Sequence, residues 1–418
     1  MRKIGYVVAL MLCITLAVAP AIASSFTLGI YGNANMDEDI DEKDIAYVEG
    51  VIKGTNAPTN LSDANYDGKV DDKDIDQIEL IISGDKKELT IIDDAGDVET
   101  IHMPVNRVVT VHWSVDDSMR ILGLADRIVA VEKNTKEQTS YFPELSKLTC
   151  FGDGFGEMDY ELIMKTHPDL FIVRYTEDYK KEPEKMLPGV TVISMTLSHP
   201  EYAGKSFEER MIKFGYIFNK IEEAKKFVAW QENCLKDLRE PIKNISEDDK
   251  PRVFYGYYKD GIFKIHITSG GGQLLDIVSA QNIGKDLPKG DGHPVIETEW
   301  LVEQNPDIII IDAEVPVSGY ETDDLSGLDA VREAILDLPE LKNVDAVKNN
   351  RVYVLPSRCL TYRPGYNVGA AYLAKWIYPV QFKDFNPLGV HQEYLDLLGL
   401  DYNVSEHGVF VYPPLNES

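Results

Sequence analysis

Short apolar runs alternate with helix-length segments from about residue 88 to residue 380. This rhythm of β-branched strands and intervening helices predicts a mostly parallel sheet with helices on both faces. A β-hairpin over residues 89–101 is predicted to open the region. The predicted strands fall into two sets, 108–111, 128–131, 170–173 and 190–194 in the first and 252–255, 308–311 and 351–355 in the second.

One long amphipathic segment, residues 221–245, separates the two sets of strands. Its apolar side chains recur at helical spacing, which predicts a helix with one buried face. At about 1.5 Å per residue, such a helix would span more than about 30 Å. The pattern therefore predicts two α/β lobes joined by a rigid helical spine.

An internal repeat supports the two lobes. In residues 161–173 and again in 299–311, a helical segment ends before Pro-Asp and a buried strand begins at once. Glu161 and Glu299 lie at the same place in the repeat, seven residues before the proline. Chance would not repeat the glutamate, the Pro-Asp pair and the apolar strand together, so each lobe is expected to contain one copy of the same unit.

Upstream of the lobes, a twelve-residue polar pattern occurs twice, at residues 33–44 and 63–74. Oxygen-bearing side chains occupy the ligand positions of an EF-hand-type calcium loop, and Gly68 occupies the sharp turn of the second copy. The first copy lacks this glycine and begins with a neutral asparagine, so weaker binding is expected there. The predicted Ca²⁺ ligands are Asn33, Asn35, Asp37, Asp39, Asp41 and Asp44 in the first loop and Asp63, Asn65, Asp67, Lys69, Asp71 and Asp74 in the second.

Each loop continues into a short segment with apolar periodicity, 45–48 or 75–78, which a glycine follows. Aspartate at the last loop position, with one helix per loop, resembles the duplicated calcium module of dockerins over residues 28–85. The resemblance implies docking to a cohesin-like partner or a cell-surface scaffold. Acidic turns without metal are the alternative, but they leave the duplication unexplained.

Charge and the N-terminal segment restrict the possible partners and location. The 418-residue chain has 70 acidic and 42 basic residues, a formal charge of -28, which argues against nucleic acid or an anionic membrane as partner. A charged start, an apolar core and small residues predict a signal peptide cleaved near Ala23, and hence a secreted or cell-surface protein. An uncleaved membrane anchor is the alternative.

The motifs of the two-lobed region occur in a recognisable order: the opening hairpin, the strand 107–111, Phe151-Gly152, Glu161 with Pro168-Asp169, the glycine-rich segment 268–272 and the segment 368–379. This set, over about residues 88–380, resembles the iron-siderophore/cobalamin group of ABC-importer substrate-binding proteins. The resemblance implies two rigid lobes that clamp a metal chelate between them. It also implies that the importer's permease docks on Glu161 and Glu299, although both could be ordinary surface glutamates.

The expected fold class is therefore α/β, with two lobes of mostly parallel sheets joined by a long helix, similar to class III periplasmic binding proteins, and a small all-α calcium-loop domain in front. The predicted division is a signal peptide (1–23), a dockerin-like domain (26–86), an N-terminal lobe (88–205), a connecting helix (206–246), a C-terminal lobe (247–380) and a C-terminal extension (381–418).

In this architecture a ligand lies where strand ends face each other across the cleft. Aromatic side chains after the strands would supply flat walls, and arginines would supply paired donors for an anionic chelate. The histidines His112, His199 and His293 lack a metal-ligand spacing, so a bare metal ion is less favoured. The predicted ligand-binding residues are Trp113, Arg174, Tyr175, Tyr257, Arg358 and Tyr362.

The favoured function is a non-enzymatic receptor that captures an iron chelate or a corrinoid and delivers it to an ABC importer. An oxyanion receptor for molybdate or tungstate on the same fold is one alternative. A dockerin-tagged scaffold or hydrolase of a surface complex is another. Against a hydrolase, the chain has no Gly-x-Ser-x-Gly elbow, and nothing marks two carboxylates as an acid/base pair.

Overall fold

A computed structural model describes residues 26–154, 156–174, 177–288, 292–313 and 318–415. The predicted signal peptide and Tyr175 lie outside these ranges. Within them, no helix combines the length and the apolar character that a membrane span requires.

Both predicted calcium loops lead directly into a helix. The side chains of Asp41 and Asp71 cap these helices and accept hydrogen bonds from backbone N–H groups of the first turn. In turn, the carboxylates of Asp44 and Asp74 accept hydrogen bonds from the backbone N–H groups of these capping residues, at 2.9 and 2.7 Å. This reciprocal capping box satisfies N–H groups that a helix end otherwise leaves unpaired. The helices are α1 (Glu42–Ile52) and α2 (Asp72–Ser83).

The N-terminal lobe contains a four-stranded, all-parallel sheet in the order β4-β3-β5-β6, preceded by an antiparallel hairpin. All four predicted strands and the hairpin are confirmed. The elements are β1 (Glu88–Ile92), β2 (Val98–His102), β3 (Val108–Thr110), α3 (Trp113–Ile121), β4 (Ile128–Ala130), α4 (Lys133–Glu137), α5 (Tyr160–Lys165), β5 (Leu170–Val173), α6 (Glu177–Met186), β6 (Thr191–Ser194) and the small hairpin β7 (Glu201–Tyr202) and β8 (Lys205–Ser206).

Two helices connect the lobes, α7 (Phe207–Phe218) and α8 (Ile221–Arg239). They meet at Asn219, which takes a left-handed conformation with φ of 55°. The prediction of one connecting helix over 206–246 is therefore wrong in detail. The helix α8 ends at Arg239 because Pro241, which follows, lacks the backbone N–H that a continuing helix needs.

The C-terminal lobe has a mixed sheet in the order β12-β10-β9-β13-β14, with β11 also paired to β9. Strands β9, β13 and β14 are parallel, and β10 and β12 are antiparallel additions at one edge. The elements are β9 (Arg252–Lys259), β10 (Ile262–Ile265), α9 (Gly270–Ile277), β11 (Gln281–Asn282), β12 (Val295–Ile296), α10 (Thr298–Gln304), β13 (Ile308–Asp312), α11 (Ser326–Leu336), α12 (Asp345–Lys348), β14 (Val352–Leu355), α13 (Ser357–Leu360), α14 (Tyr366–Ile377) and α15 (Pro387–Leu397).

The Pro-Asp repeat has the same structural role in both lobes. Asp169 accepts a hydrogen bond from the backbone N–H of Arg107 at 2.9 Å, and Asp307 accepts one from that of Arg252 at 2.8 Å. Each arginine side chain in turn donates to carbonyl groups at the end of the preceding helix, α5 or α10. The repeat therefore joins a helix end to the beginnings of two neighbouring strands.

The N-terminal module packs against the lobes through a shared apolar cluster. Ile30 forms an antiparallel bridge with Ile91 of β1, and the backbone N–H of Ile92 donates to Gly29 at 2.9 Å. The buried side chains of the module belong to the same cluster as many of those of the two lobes. The C-terminal extension likewise joins the C-terminal lobe through a bridge between Val354 of β14 and Tyr412.

Candidate functional site

A cavity of about 460 Å³ lies between the lobes, at the carboxyl ends of the parallel strands. Residues that follow β5, β6 and β13 line it, as do Arg358 of α13 and Tyr362 just beyond that helix. The residues predicted from sequence that the structure brings together here are Trp113, Arg174, Tyr257, Arg358 and Tyr362. Tyr175 lies outside the described residues. That these side chains hold a ligand stays a prediction.

Arg174 provides a buried cation on the N-terminal wall of the cleft. It is 4% exposed, and its guanidinium donates to Nε2 of His112 at 2.6 Å. On the other side of that ring, Nδ1 lies 2.7 Å from the Ser114 hydroxyl. The backbone N–H of Ser114 also donates to Nδ1, at 3.1 Å, so the ring caps the start of α3. Burial and the adjacent Arg174 charge hold the pKa of His112 well below its usual value.

His199 lines the same wall and is positioned through its backbone. The guanidinium of Arg210 on α7 donates to the carbonyl groups of Thr196 and His199, at 2.7 Å for His199. The His199 ring contacts the Ser198 hydroxyl at 2.8 Å and lies 5.4 Å from the ring of Tyr362. Burial and the charge of Arg174 lower the pKa of His199 well below its usual value, which keeps the ring neutral.

The C-terminal wall is a hydrogen-bonded network centred on Asp312. Its carboxylate lies 3.2 Å from Nε2 of His266, and Nδ1 of that ring lies 2.7 Å from the Ser269 hydroxyl. Burial, with the Asp312 charge as the second cause, raises the pKa values of Tyr257 and Tyr362. Both phenols are therefore protonated donors over the physiological range.

Polar contacts hold the two walls together beside the cavity. Trp113 donates through Nε1 to the carbonyl of Tyr362 at 3.1 Å. Behind it, Arg363 forms a buried ion pair with Asp117 at 2.7 Å. The hydroxyl of Tyr394, on α15, donates to the same carboxylate at 3.2 Å. The C-terminal extension therefore contributes to the junction between the lobes.

Sequence reasoning missed several residues of the cavity. His199 and His293 had been set aside because they lie far apart in sequence, yet both line the cleft. The rings of His293 and His266 lie 4.9 Å apart. Asp312 carried a usable signal, since it ends the buried strand of the second Pro-Asp repeat. The histidines carried no comparable signal because folding alone brings them together.

Glu161 and Glu299 lie on the first turns of α5 and α10, as the repeat predicts. Both are exposed. Glu161 pairs with Lys165 at 2.8 Å on the same helix, where its side chain is 82% exposed. The two glutamates thus occupy equivalent surface positions on the two lobes.

One cluster of three carboxylates elsewhere has the proximity of a metal site. Among the residues that the structure describes, oxygens of Asp93, Asp97 and Glu99 lie within 4.8 Å of one another. The buried ammonium group of Lys180 lies between them, at 2.9, 3.0 and 2.5 Å. The lysine pairs with all three carboxylates and offsets one of their charges, and these contacts anchor α6 to the first hairpin.

The second calcium loop has the backbone geometry that its ligand set requires. The N–H groups of Asp67 and Gly68 donate to the carboxylate of Asp63 at 3.0 and 2.8 Å. Gly68 takes a φ of 88°, and the N–H of Asn65 donates to Asp74. These bonds order the loop backbone around its carboxylate groups, and the loop supplies the oxygen donors that Ca²⁺ prefers, so the residues present fit a Ca²⁺ ion.

The first loop keeps most of this arrangement. The N–H of Asp37 donates to Asn33, and the N–H of Asn35 donates to Asp44, both at 3.1 Å. Glu38, at the position of Gly68, does not take the left-handed conformation. An amide hydrogen of Asn35 also donates to Asp37 at 2.8 Å. The donor set fits Ca²⁺ here too, but position 1 is Asn33 where the second loop has Asp63, so apart from position 7, which ligates through its backbone carbonyl, the first loop has one carboxylate ligand fewer.

A family model for periplasmic binding proteins matches residues 108–359, which is more than half of the chain. The matched segment covers most of both lobes and the helices between them. Three known proteins illustrate the similarity. The uncharacterised ABC transporter substrate-binding lipoprotein YvrC of Bacillus subtilis is 25% identical over 297 residues, which cover 70% of this chain and 87% of the relative. The iron(3+)-hydroxamate-binding protein YxeB of the same organism is 26% identical over 215 residues, which cover 50% of this chain and 62% of the relative. The crystal structure of the TroA-like periplasmic binding protein FepB from Veillonella parvula superposes with a TM-score of 0.62 at 22% identity, and the match covers 77% of this chain and 98% of that one.

The structural similarity shows that the two-lobed fold is shared, and the predicted α/β class with parallel sheets is confirmed. The dockerin-like module is not part of the matched region, so its assignment remains a prediction. Homologues of the two-lobed region are ABC transporter substrate-binding proteins. The family predicted from the sequence motifs is also confirmed: this chain belongs to the periplasmic binding protein family.

Proposed function

We propose that this chain is an extracytoplasmic receptor that binds an anionic iron chelate in the cleft and delivers it to an ABC importer. The observation that carries the proposal is Arg174, a guanidinium buried in an aromatic-lined cleft. Two arginines and one aspartate line the cavity within the described residues, which favours a negatively charged ligand. Trp113, Tyr257 and Tyr362 offer flat surfaces to chelating rings.

Cavity size favours a chelate over a bare oxyanion. Drug-sized ligands occupy pockets of about 300–1,000 Å³, and the cleft measures about 460 Å³. An oxyanion receptor needs close donors around a small anion, without aromatic walls. Here Tyr257 and Tyr362 form much of the C-terminal wall, so molybdate or tungstate is the less favoured cargo.

The histidines add a second recognition element. Neutral imidazole is a good ligand for iron and other transition metals. His199 is held neutral by its surroundings and lies beside the cavity with His293. A chelate that leaves coordination positions of its metal open would gain an imidazole ligand in this cleft, in addition to its contacts with the arginines.

A thermal-shift screen at fixed calcium tests the cargo. The panel contains ferric 2,3-dihydroxybenzoate, ferrioxamine B, haemin, cobinamide, cobalamin, molybdate and tungstate. A ligand at 100 times its dissociation constant adds about 2.7 kcal/mol to the free energy of unfolding. We expect the largest shift with the anionic ferric catecholate, accompanied by quenching of Trp113 fluorescence. A shift with molybdate alone would identify an oxyanion receptor, and no shift at all would favour the scaffold or hydrolase alternatives.

We further propose that Glu161 and Glu299 dock on basic residues of the importer's permease. They form two equivalent acidic points on equivalent lobe surfaces, which suits a two-point electrostatic contact. Reversing both charges, Glu161→Lys with Glu299→Lys, should reduce uptake while leaving chelate affinity unchanged. A matched reversal at Glu144 and Glu340, two exposed glutamates outside α5 and α10, serves as control. Uptake that equals the wild-type rate would refute the docking role.

We also propose that both loops of the N-terminal module bind Ca²⁺, the second more tightly, and that the module docks on a cohesin-like surface protein. The backbone geometry of the second loop and the repeated ligand pattern support this. Calorimetry should detect two sites in the wild-type protein. Asp67→Ala should remove the tighter one and Asp37→Ala the weaker one; a single site that only Asp67→Ala removes would exclude calcium from the first loop.

A further inference from the structure

The two calcium loops have nearly the same sequence pattern but different surroundings. In the first loop, the carboxylate of Asp39 accepts a hydrogen bond from the hydroxyl of Tyr216 and pairs with Lys225 at 2.5 Å. Tyr216 is 1% exposed and also accepts a bond from the N–H of Ile40 at 2.9 Å. The equivalent residue of the second loop, Lys69, is exposed. Only the first of the two loops is thus bonded at this position to the helices between the lobes.

These contacts are compatible with a bound ion. Asp39 occupies position 7 of the loop, and this position ligates Ca²⁺ through its backbone carbonyl. Its carboxylate is therefore available for Tyr216 and Lys225 while the carbonyl faces the ion. A cation that orders the loop backbone would also fix the carboxylate to which α7 and α8 are bonded.

The other end of α7 holds a wall of the cleft. Arg210 lies six residues before Tyr216, about 9 Å along the helix axis. Its fully buried guanidinium donates to the carbonyls of Thr196 and His199. Eleven of the twelve residues of α7 are buried, so the helix is enclosed along its length. One rigid element therefore contacts the first calcium loop at one end and the cleft segment 196–199 at the other.

We propose that Ca²⁺ in the first loop strengthens chelate binding in the cleft by fixing α7 and, through Arg210, the position of His199. The proposal rests on the proposed function, because it requires both the calcium site and the cleft ligand. It makes the N-terminal module a regulatory part of the receptor in addition to a docking module. Coupling of this kind is reciprocal, so the chelate should also tighten calcium binding.

The test measures two quantities, each with about 1 mM calcium and without calcium. The first is the affinity for ferric 2,3-dihydroxybenzoate, followed by quenching of Trp113 fluorescence. The second is the rate of amide hydrogen exchange over residues 196–202 and 207–218. Couplings between sites are typically about 5- to 150-fold. We expect calcium to tighten chelate binding at least about fivefold in the wild-type protein and to slow exchange in both segments. Calcium-free buffer is prepared with resin, so that no soluble chelator competes for iron.

Three variants separate the path from the site. Tyr216→Phe keeps the buried ring and the calcium ligands but removes the bond to Asp39, so it should bind calcium yet lose the calcium dependence of chelate affinity. Asp67→Ala disables the second loop, which lacks contact with α7 at position 7, and should retain that dependence. Arg210→Lys keeps the charge and should weaken the response of exchange at 196–202 more than that at 207–218.

The outcomes distinguish failure of this proposal from failure of the proposed function. If calorimetry finds no calcium in the first loop, the proposed calcium site fails. If ferric 2,3-dihydroxybenzoate does not bind, the proposed chelate receptor fails. If both ligands bind and calcium changes neither chelate affinity nor exchange at 196–202, the coupling is refuted. Equal loss of coupling in Tyr216→Phe and Asp67→Ala would also refute it, because the path would then not pass through Asp39.

Discussion

The two walls of the cleft differ in how their polar groups are fixed. On the N-terminal wall, Arg174 is 4% exposed and held against a buried, neutral His112. On the C-terminal wall, Arg358 is exposed, and the buried polar groups form a network around Asp312. One wall therefore presents a fixed positive charge, and the other presents phenol donors together with a carboxylate.

This difference matters for affinity. A donor that is already ordered loses little conformational freedom when a ligand arrives, whereas an exposed long side chain must be immobilised at a cost of about 0.5–1.5 kcal/mol. Arg174 should therefore contribute most of the attraction for an anion. Arg358 should contribute less, and Asp312 should oppose an anion unless the tyrosines separate the two charges.

The largest expected effect concerns the junction that keeps the walls in register. Asp117 accepts bonds from Arg363, Tyr141 and Tyr394, and both members of the ion pair are buried. Asp117→Ala leaves an unpaired buried guanidinium and should lower the free energy of unfolding by about 3–5 kcal/mol. Urea denaturation of the wild type and the variant measures this loss of stability. Glu144→Ala, which removes an exposed pair with Lys147, should cost less than about 1 kcal/mol; similar losses would show that the junction is not special.

Next in size is the contrast between the two arginines. Arg174→Ala removes a buried charge from the ligand interface, which typically costs about 2–5 kcal/mol, or roughly 30-fold or more in affinity for an anionic chelate. Arg358→Ala should cost less than about fivefold because its side chain is exposed. Titration of Trp113 fluorescence with ferric 2,3-dihydroxybenzoate compares them directly. Equal losses would mean that both walls contribute the same fixed charge.

A smaller effect of opposite sign should follow Asp312→Asn. The amide keeps the size of the side chain and can still bond Tyr257 and His266, but it removes a negative charge from the cleft. We expect anionic chelates to bind a few times more tightly and neutral ferric hydroxamates to bind equally well. Weaker binding of both classes would show instead that the carboxylate itself contacts the metal or orients the phenols.

The sequence was informative where function is encoded locally. A helix, Pro-Asp and a strand specify each repeat, so periodicity and turn chemistry were sufficient to predict both repeats, and the structure confirms them. Twelve consecutive residues likewise specify each candidate calcium loop, where ion binding stays a prediction. The cleft was only partly predictable. Arginine and tyrosine after strands were found because strand ends meet in such folds, whereas His199 enters the site through a backbone position that Arg210 fixes. The shared core of module and lobes was also missed, because apolar residues such as Ile30 do not indicate their partners.

The smallest expected effect is on pH dependence, and it tests whether the N-terminal wall is as fixed as described. Burial and Arg174 lower the pKa of His199 below the usual value of about 6.5. Its imidazole is therefore already neutral at pH 6.5, and chelate affinity should change less than about twofold between pH 8 and 6.5.

The lowered pKa of His199 also makes the free energy of unfolding depend on pH, in the direction opposite to that of a histidine with a raised pKa. The unfolded chain binds the proton more readily, so His199 lowers the free energy of unfolding as the pH falls below about 6.5, by up to about 1.4 kcal/mol per pH unit until the folded pKa is reached. His199→Gln removes this contribution, so the difference in unfolding free energy between the wild type and the variant should shift with pH below about 7.5 and remain constant above it, where the unfolded histidine is neutral as well. A difference that still changes between pH 7.5 and 9 would mean that the folded His199 titrates there, and that the wall carries a switchable charge beside Arg174 in addition to the fixed one.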